Sequence, residues 1–161
     1  MYDIKTLGAD VLREPASDVT AFDPELKRLV SEMFMVMKRG DGIGLAAPQI
    51  GILKNIFVVH VNGDTPRVFV NPEILETSME QSPYEEGCLS VPGIYAEVTR
   101  PDRVRVQAYN EEGKRFTIDA GGLLARVVQH EYDHLRGVLF VDRLPEGKRE
   151  RVLRMYKKRH R

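Results

Sequence analysis

Apolar residues recur at helical spacing in the first well-marked segment of the chain. Leu26, Leu29, Val30, Met33, Phe34 and Met37 share one face of a 3.6-residue repeat. Asp23 stands in the N-cap position, Pro24 in the first helical position, and Gly40 supplies a stop. The pattern predicts a helix over that stretch, with its methionines as core packing. Gly42–Gln49 (GIGLAAPQ) reads as a glycine-rich loop. Strands are predicted at Asn55–Val61 and Arg67–Val70, parted by a turn at Asn62-Gly63-Asp64. His60 falls inside the first of them as a structural histidine.

Arg103–Asn110 and Lys114–Ile118 read as a hairpin around Glu111-Glu112-Gly113, with Val104, Val106 and Ala108 alternating with polar neighbours. A second helix is predicted from about Gly122 to Arg136, with Asp119 near its start and Gly137 just past its end. Leu123, Leu124, Val127, Val128 and Leu135 make it apolar around much of its circumference, which predicts burial. A third helix begins near Pro145. Strands outside, one central buried helix and few βαβ alternations predict an α+β fold.

Composition bounds the function classes. The chain has 161 residues, 42% hydrophobic and 30% charged, as expected for one globular domain spanning 1–161. No apolar run approaches the roughly 20 residues of a bilayer-spanning helix, so no membrane association is expected. Met1–Lys5 lacks the apolar stretch of a signal peptide, which points to the cytoplasm. A single cysteine excludes an intrachain disulfide and suits a reducing compartment. The formal net charge of zero hides an asymmetry. Residues 148–161 hold eight Lys/Arg and one acid; of the 24 basic and 24 acidic residues this leaves 16 and 23 for the rest, a net of −7. A basic tail suits either an anionic partner such as nucleic acid or a plain solvated helix end.

The central helix contains His130-Glu131-Tyr132-Asp133-His134, an H-E-x-x-H pattern. Residues four apart share a helix face, so both imidazoles can converge on one ion. Glu131 lies about 100° round from His130, within reach of a water at the metal but poorly placed as a ligand, which makes it the natural general base. Two satisfied core histidines flanking an exposed glutamate would give the same letters. Burying His-Glu-Asp-His in so apolar a helix is costly, however, without a metal or partners. A catalytic site usually offers three protein ligands and an open fourth position. The lone Cys88, in Glu86-Gly87-Cys88-Leu89-Ser90, is either a buried free thiol or the thiolate completing a His₂Cys set. With no second cysteine to close a structural zinc site, an open site is expected.

Three separated segments, Gly42–Gln49 (GIGLAAPQ), Glu86–Ser90 (EGCLS) and Gln129–His134 (QHEYDH), together resemble the peptide deformylases, which remove the formyl group from the N-terminal methionine of nascent bacterial chains. The resemblance covers nearly the whole chain. It implies an α+β fold with mixed or antiparallel strands around a central metal-binding helix and a C-terminal helix. It implies Cys88, His130 and His134 as metal ligands and Glu131 as general acid/base. It also implies Gln49 and the Leu89 N–H as oxyanion donors, and Gly44 as backbone that pairs with the substrate. By alignment to the same motifs, Ile43, Tyr84, Leu123, Arg126 and Val127 line the methionine pocket, although these residues could equally be plain core. An arginine often found seven residues after the cysteine is Tyr95 here. Arg100 and Asp133 are a candidate pair orienting the helix, or a simple structural salt bridge.

The implied cofactor is one divalent metal per chain. Ferrous iron is favoured in the cell, with zinc, nickel or cobalt possible in a purified sample. The implied partners are the formylated nascent chain and, through the basic C-terminal helix, ribosomal RNA, with a monomer favoured. A zinc peptidase shares H-E-x-x-H, but a cysteine in E-G-C-L-S rather than a downstream Glu or His favours the deformylase. A nucleic-acid-binding module with a structural metal would suit the basic tail, but structural zinc normally takes four ligands.

Overall fold

In the computed structural model, which describes residues 2–160, helix α1 (Pro24–Arg39) begins where the pattern predicts. The Asp23 side chain accepts from the Leu26 N–H at 3.0 Å, a cap worth about 1 kcal/mol. The helix buries Leu26, Leu29, Val30, Met33, Val36 and Met37, so its methionines at 33 and 37 are core. Seven strands occur among the described residues: β1 (Gly44–Ala46), β2 (Ile56–Val59), β3 (Arg67–Thr77), β4 (Gln81–Cys88), β5 (Val91–Pro101), β6 (Arg103–Tyr109) and β7 (Arg115–Gly121). Five form a sheet in the order β1-β2-β3-β6-β7, and β4 and β5 form a separate hairpin. Every strand pairing is antiparallel; an isolated bridge between Ser17 and Lys54 is parallel.

Helix α2 (Gly122–Leu135) packs across the five-stranded sheet, and α3 (Glu146–Arg159) packs on β5. Three apolar clusters follow from this arrangement. One joins α1 to β1 and β2, and a second joins α2 to the sheet through Phe57, Phe69, Val106, Val127 and Val128. The third joins the inner face of β5 to Phe140, Leu144, Val152 and Tyr156. The α+β expectation, with a central helix and a C-terminal helix, is met.

Several local expectations need correction. Gly42–Gln49 is not all loop, because Gly44–Ala46 pairs with β2 as an edge strand and Ala47–Ile50 forms a 3-10 turn. The strand expected to reach Val61 stops at Val59. His60 lies just beyond it, its backbone N–H donating to the Ile43 carbonyl at 2.9 Å. β3 runs well past Val70, carried over register shifts beside Asn71, which has a left-handed φ of 49° and whose side chain holds the Val19 backbone. The β4–β5 hairpin falls where no strand was expected. Asp119 sits in β7 paired with Arg105, and Gly121 is the N-cap of α2. Leu123 is partly exposed, whereas Arg126, Gln129, His130, Glu131, Asp133 and His134 are buried, so the central helix is buried with its polar residues and not merely on apolar faces.

Candidate active site

β4 and α2 bring the predicted ligands together. Cys88 ends β4 and touches His134, with Sγ 3.3 Å from Nε2. One ligand atom from each of Cys88, His130 and His134 falls within 4.8 Å of the other two. Tetrahedral bonds of about 2.0–2.3 Å place donor atoms roughly 3.3–3.8 Å apart, so little movement would close these three on one ion. One sulfur and two imidazoles suit a borderline divalent metal. The buried side-chain polar atoms without a partner, among the described residues, are Glu131 Oε1, at this centre, and His134 Nδ1, on the side of a ring whose Nε2 is the atom facing Cys88. A buried polar atom is rarely left so, and Glu131 Oε1 fits a bound group that engages it.

His130 is oriented from behind. Its Nδ1–H donates to Glu86 Oε1 at 2.9 Å, which aims Nε2 towards the cluster. Glu86 also accepts from Arg100 (2.7 and 3.1 Å) and from Arg126 (2.9 Å). Arg100 continues to Asp133 at 2.9 Å, and Arg143 closes on the same carboxylate at 2.7 Å. The expected Arg100–Asp133 pair is thus one edge of a larger buried network. Glu86, its hub, is a positioning residue that the motif reading passed over. Spacing along the chain gave no sign of it, because its partners Arg100, Arg126 and His130 come from other elements.

Burial alone would raise the Glu86 carboxyl, but hydrogen bonds from His130 and Arg100 hold it down at about 2. Glu131 is pushed up to about 7, chiefly by burial, against the pull of His130. Burial disfavours the charged form of both histidines. It holds His134 well below its ordinary value, whereas at His130 the adjacent Glu131, Cys88 and Glu86 overcome it and hold that imidazole well above.

A cleft of about 650 Å³ lies over the centre. Every predicted site residue except His134 lines it; His134 lies deeper, fully buried. Gly44 makes room for the base, since a Cβ there would lie 2.6 Å from Glu131 Oε2 and 2.8 Å from Val127 Cγ1. Gln49 is buried, its Oε1 accepting from the Ala46 N–H at 2.9 Å. Its Nε2 is 3.1 Å from Ser90 Oγ and 3.6 Å from Cys88 Sγ, which places an amide donor beside the thiol. Ser90 was not expected to take part. Leu89 sits in the turn after β4, its side chain against Gly40 and Gly42, where Cβ atoms would come within 3.0 and 2.8 Å of it. Tyr95, opposite Gly87 in the hairpin register, lays its ring on that glycine and is 67% exposed at the cleft rim.

The sequence profile of the polypeptide deformylase family matches residues 1–150. The chain belongs to this family. A peptide deformylase from Treponema pallidum (strain Nichols) is 51% identical over 154 residues, covering 96% of this chain and 94% of the relative. Among solved structures, a peptide deformylase from Legionella pneumophila superposes with a TM-score of 0.93 at 42% identity, over 98% of this chain and 94% of that one. A peptide deformylase from Synechococcus elongatus in complex with actinonin gives 0.92 at 43% identity, over 96% and 86%. The deformylase fold is therefore shared along nearly the whole described chain, the hairpin and C-terminal helix included.

Proposed function

We infer that this chain is a metal-dependent hydrolase that removes the formyl group from the N-terminal formyl-methionine of a polypeptide, releasing formate and a free amine. The observation that carries this is the convergence of Cys88, His130 and His134 beneath the cleft, with the Glu131 carboxylate alongside.

Cys88, His130 and His134 would hold a divalent metal, which supplies Lewis acidity and lowers the pKa of a bound water. Glu131 takes the proton of the attacking water on its carboxylate and returns it to the departing amine nitrogen. Gln49 Nε2 and the Leu89 N–H donate to the oxygen on which negative charge grows. The free edge of β1 at Gly44 pairs with the backbone of the incoming chain, adding a strand to the sheet. Ile43, Tyr84, Leu123, Arg126 and Val127 enclose the methionine side chain. Formate release from formyl-Met-Ala-Ser, against the unformylated peptide, tests the function. Cleavage of internal peptide bonds instead would reassign the chain as a peptidase.

Ferrous iron is the proposed native metal, and zinc, nickel and cobalt suit the same donors; metal analysis after anaerobic purification decides among them. Residues 1–161 form one catalytic domain, a proposal supported by the cluster that α3 shares with β5 through Val152 and Tyr156. No helix among the described residues is long and apolar enough to cross a membrane. The enzyme acts as a monomer in the cytoplasm. Arg151, Arg154, Lys157 and Lys158 are exposed on α3 and rest against ribosomal RNA phosphates. Ribosome co-sedimentation that survives changing all four to Glu would exclude that contact.

A further inference from the structure

A second cavity, of about 260 Å³, adjoins the cleft. Tyr84, Leu123 and Arg126 line both spaces, so these three side chains are the partition between them. Pro83, Pro101 and Gly122 form the apolar part of the far side, with Ser82 and Asp102 beside them. The partition is held unevenly. Arg126 is buried and fixed by bonds to Glu86, to the Val98 carbonyl (2.7 Å) and to the Ser82 carbonyl (2.8 Å). Tyr84 is 51% exposed and leans its ring on the Arg126 guanidinium, 5.6 Å from the ring centre. One side of the wall is therefore a fixed post, and the other is a panel held by packing.

We propose that Tyr84 sets the length limit of the side-chain pocket, and that the cavity behind it is an extension subsite for unbranched aliphatic side chains longer than that of methionine. This rests on the deformylase activity inferred above. The tyrosine ring stands between the two spaces, and its loss joins them. Each additional methylene then leaves water for an apolar wall, worth about fourfold per group in binding.

The test is a set of formyl-X-Ala-Ser peptides in which X is methionine, norleucine, 2-aminooctanoate or 2-aminodecanoate, with kcat/KM measured for each. The native enzyme should fall off beyond norleucine. Tyr84→Ala should shift the ratio of 2-aminooctanoate to norleucine upward by about fifteenfold, as two buried methylenes require. Tyr84→Phe, which keeps the ring, should retain the native limit. If the alanine variant fails to fold, Tyr84→Val carries the same expectation with a smaller opening. Identical length profiles in the native and ring-less enzymes would overturn the subsite while leaving the activity intact. A native enzyme that releases no formate from formyl-Met-Ala-Ser would overturn the activity itself.

Discussion

Glu86 and His130, from β4 and α2, meet at 2.9 Å with carboxylate and imidazole both buried. Through this one contact the strand that carries Cys88 also aims a second ligand. Glu86→Gln should weaken metal binding by roughly 10–100-fold, measured by competition with a chelator. The same residue shapes acid stability. Its folded pKa of about 2 lies below the ordinary 4.5, so its contribution is complete above pH 4.5 and is lost as pH falls towards 2. The stability advantage of the native protein over the Gln variant should therefore shrink across that window, by roughly 3 kcal/mol at most. Urea unfolding at a series of pH values reads it directly; a gap unchanged from pH 6 to pH 2 would refute the role.

Gly44→Ala tests the packing of the base. The new Cβ would crowd Glu131 Oε2 and Val127, both close-packed, so the carboxylate must shift. Misplacement by about 1 Å costs on the order of 10²-fold in turnover, while the three ligands are untouched. Metal content near one per chain with kcat/KM reduced on that scale is the expected pair of results.

Glu131→Ala should likewise retain metal and lose nearly all turnover, about 10²–10⁴-fold. Metal analysis beside formate release separates the two properties. Near-native activity would mean that another group moves the proton.

Arg100 and Arg143 both hold Asp133, but their environments differ. Arg100 is buried, and its loss strands Glu86 and Asp133 with fewer partners, which should cost about 3–5 kcal/mol of stability. The Arg143 side chain is 50% exposed, so Arg143→Ala should cost under about 1 kcal/mol. Denaturant midpoints of the two variants give the comparison.

The helices were legible because their signals are local: Asp23 and Pro24 open α1, and Gly137, with φ +77°, lies just past the end of α2. The hairpin β4–β5 was not. Ile94, Ala96 and Val98 alternate as a strand should, but the next inward position is Arg100, whose charge breaks the apolar pattern and is satisfied only by Glu86 and Asp133 from elsewhere. At the site, Cys88, His130, Glu131 and His134 could be picked out because metal chemistry needs those residue types at that spacing. Glu86 and Ser90 act through tertiary contacts with His130 and Gln49, and spacing along the chain carries no trace of those.

Leu89 packs where a side chain at position 42 would otherwise stand. The two motifs, far apart in the chain, therefore share one close packing contact. Gly42→Ala alone should loosen the turn that presents Cys88 and the Leu89 N–H, and trimming Leu89 to Val should restore it. A variant library that randomises positions 42 and 89 together therefore samples packing solutions that changing either segment alone does not.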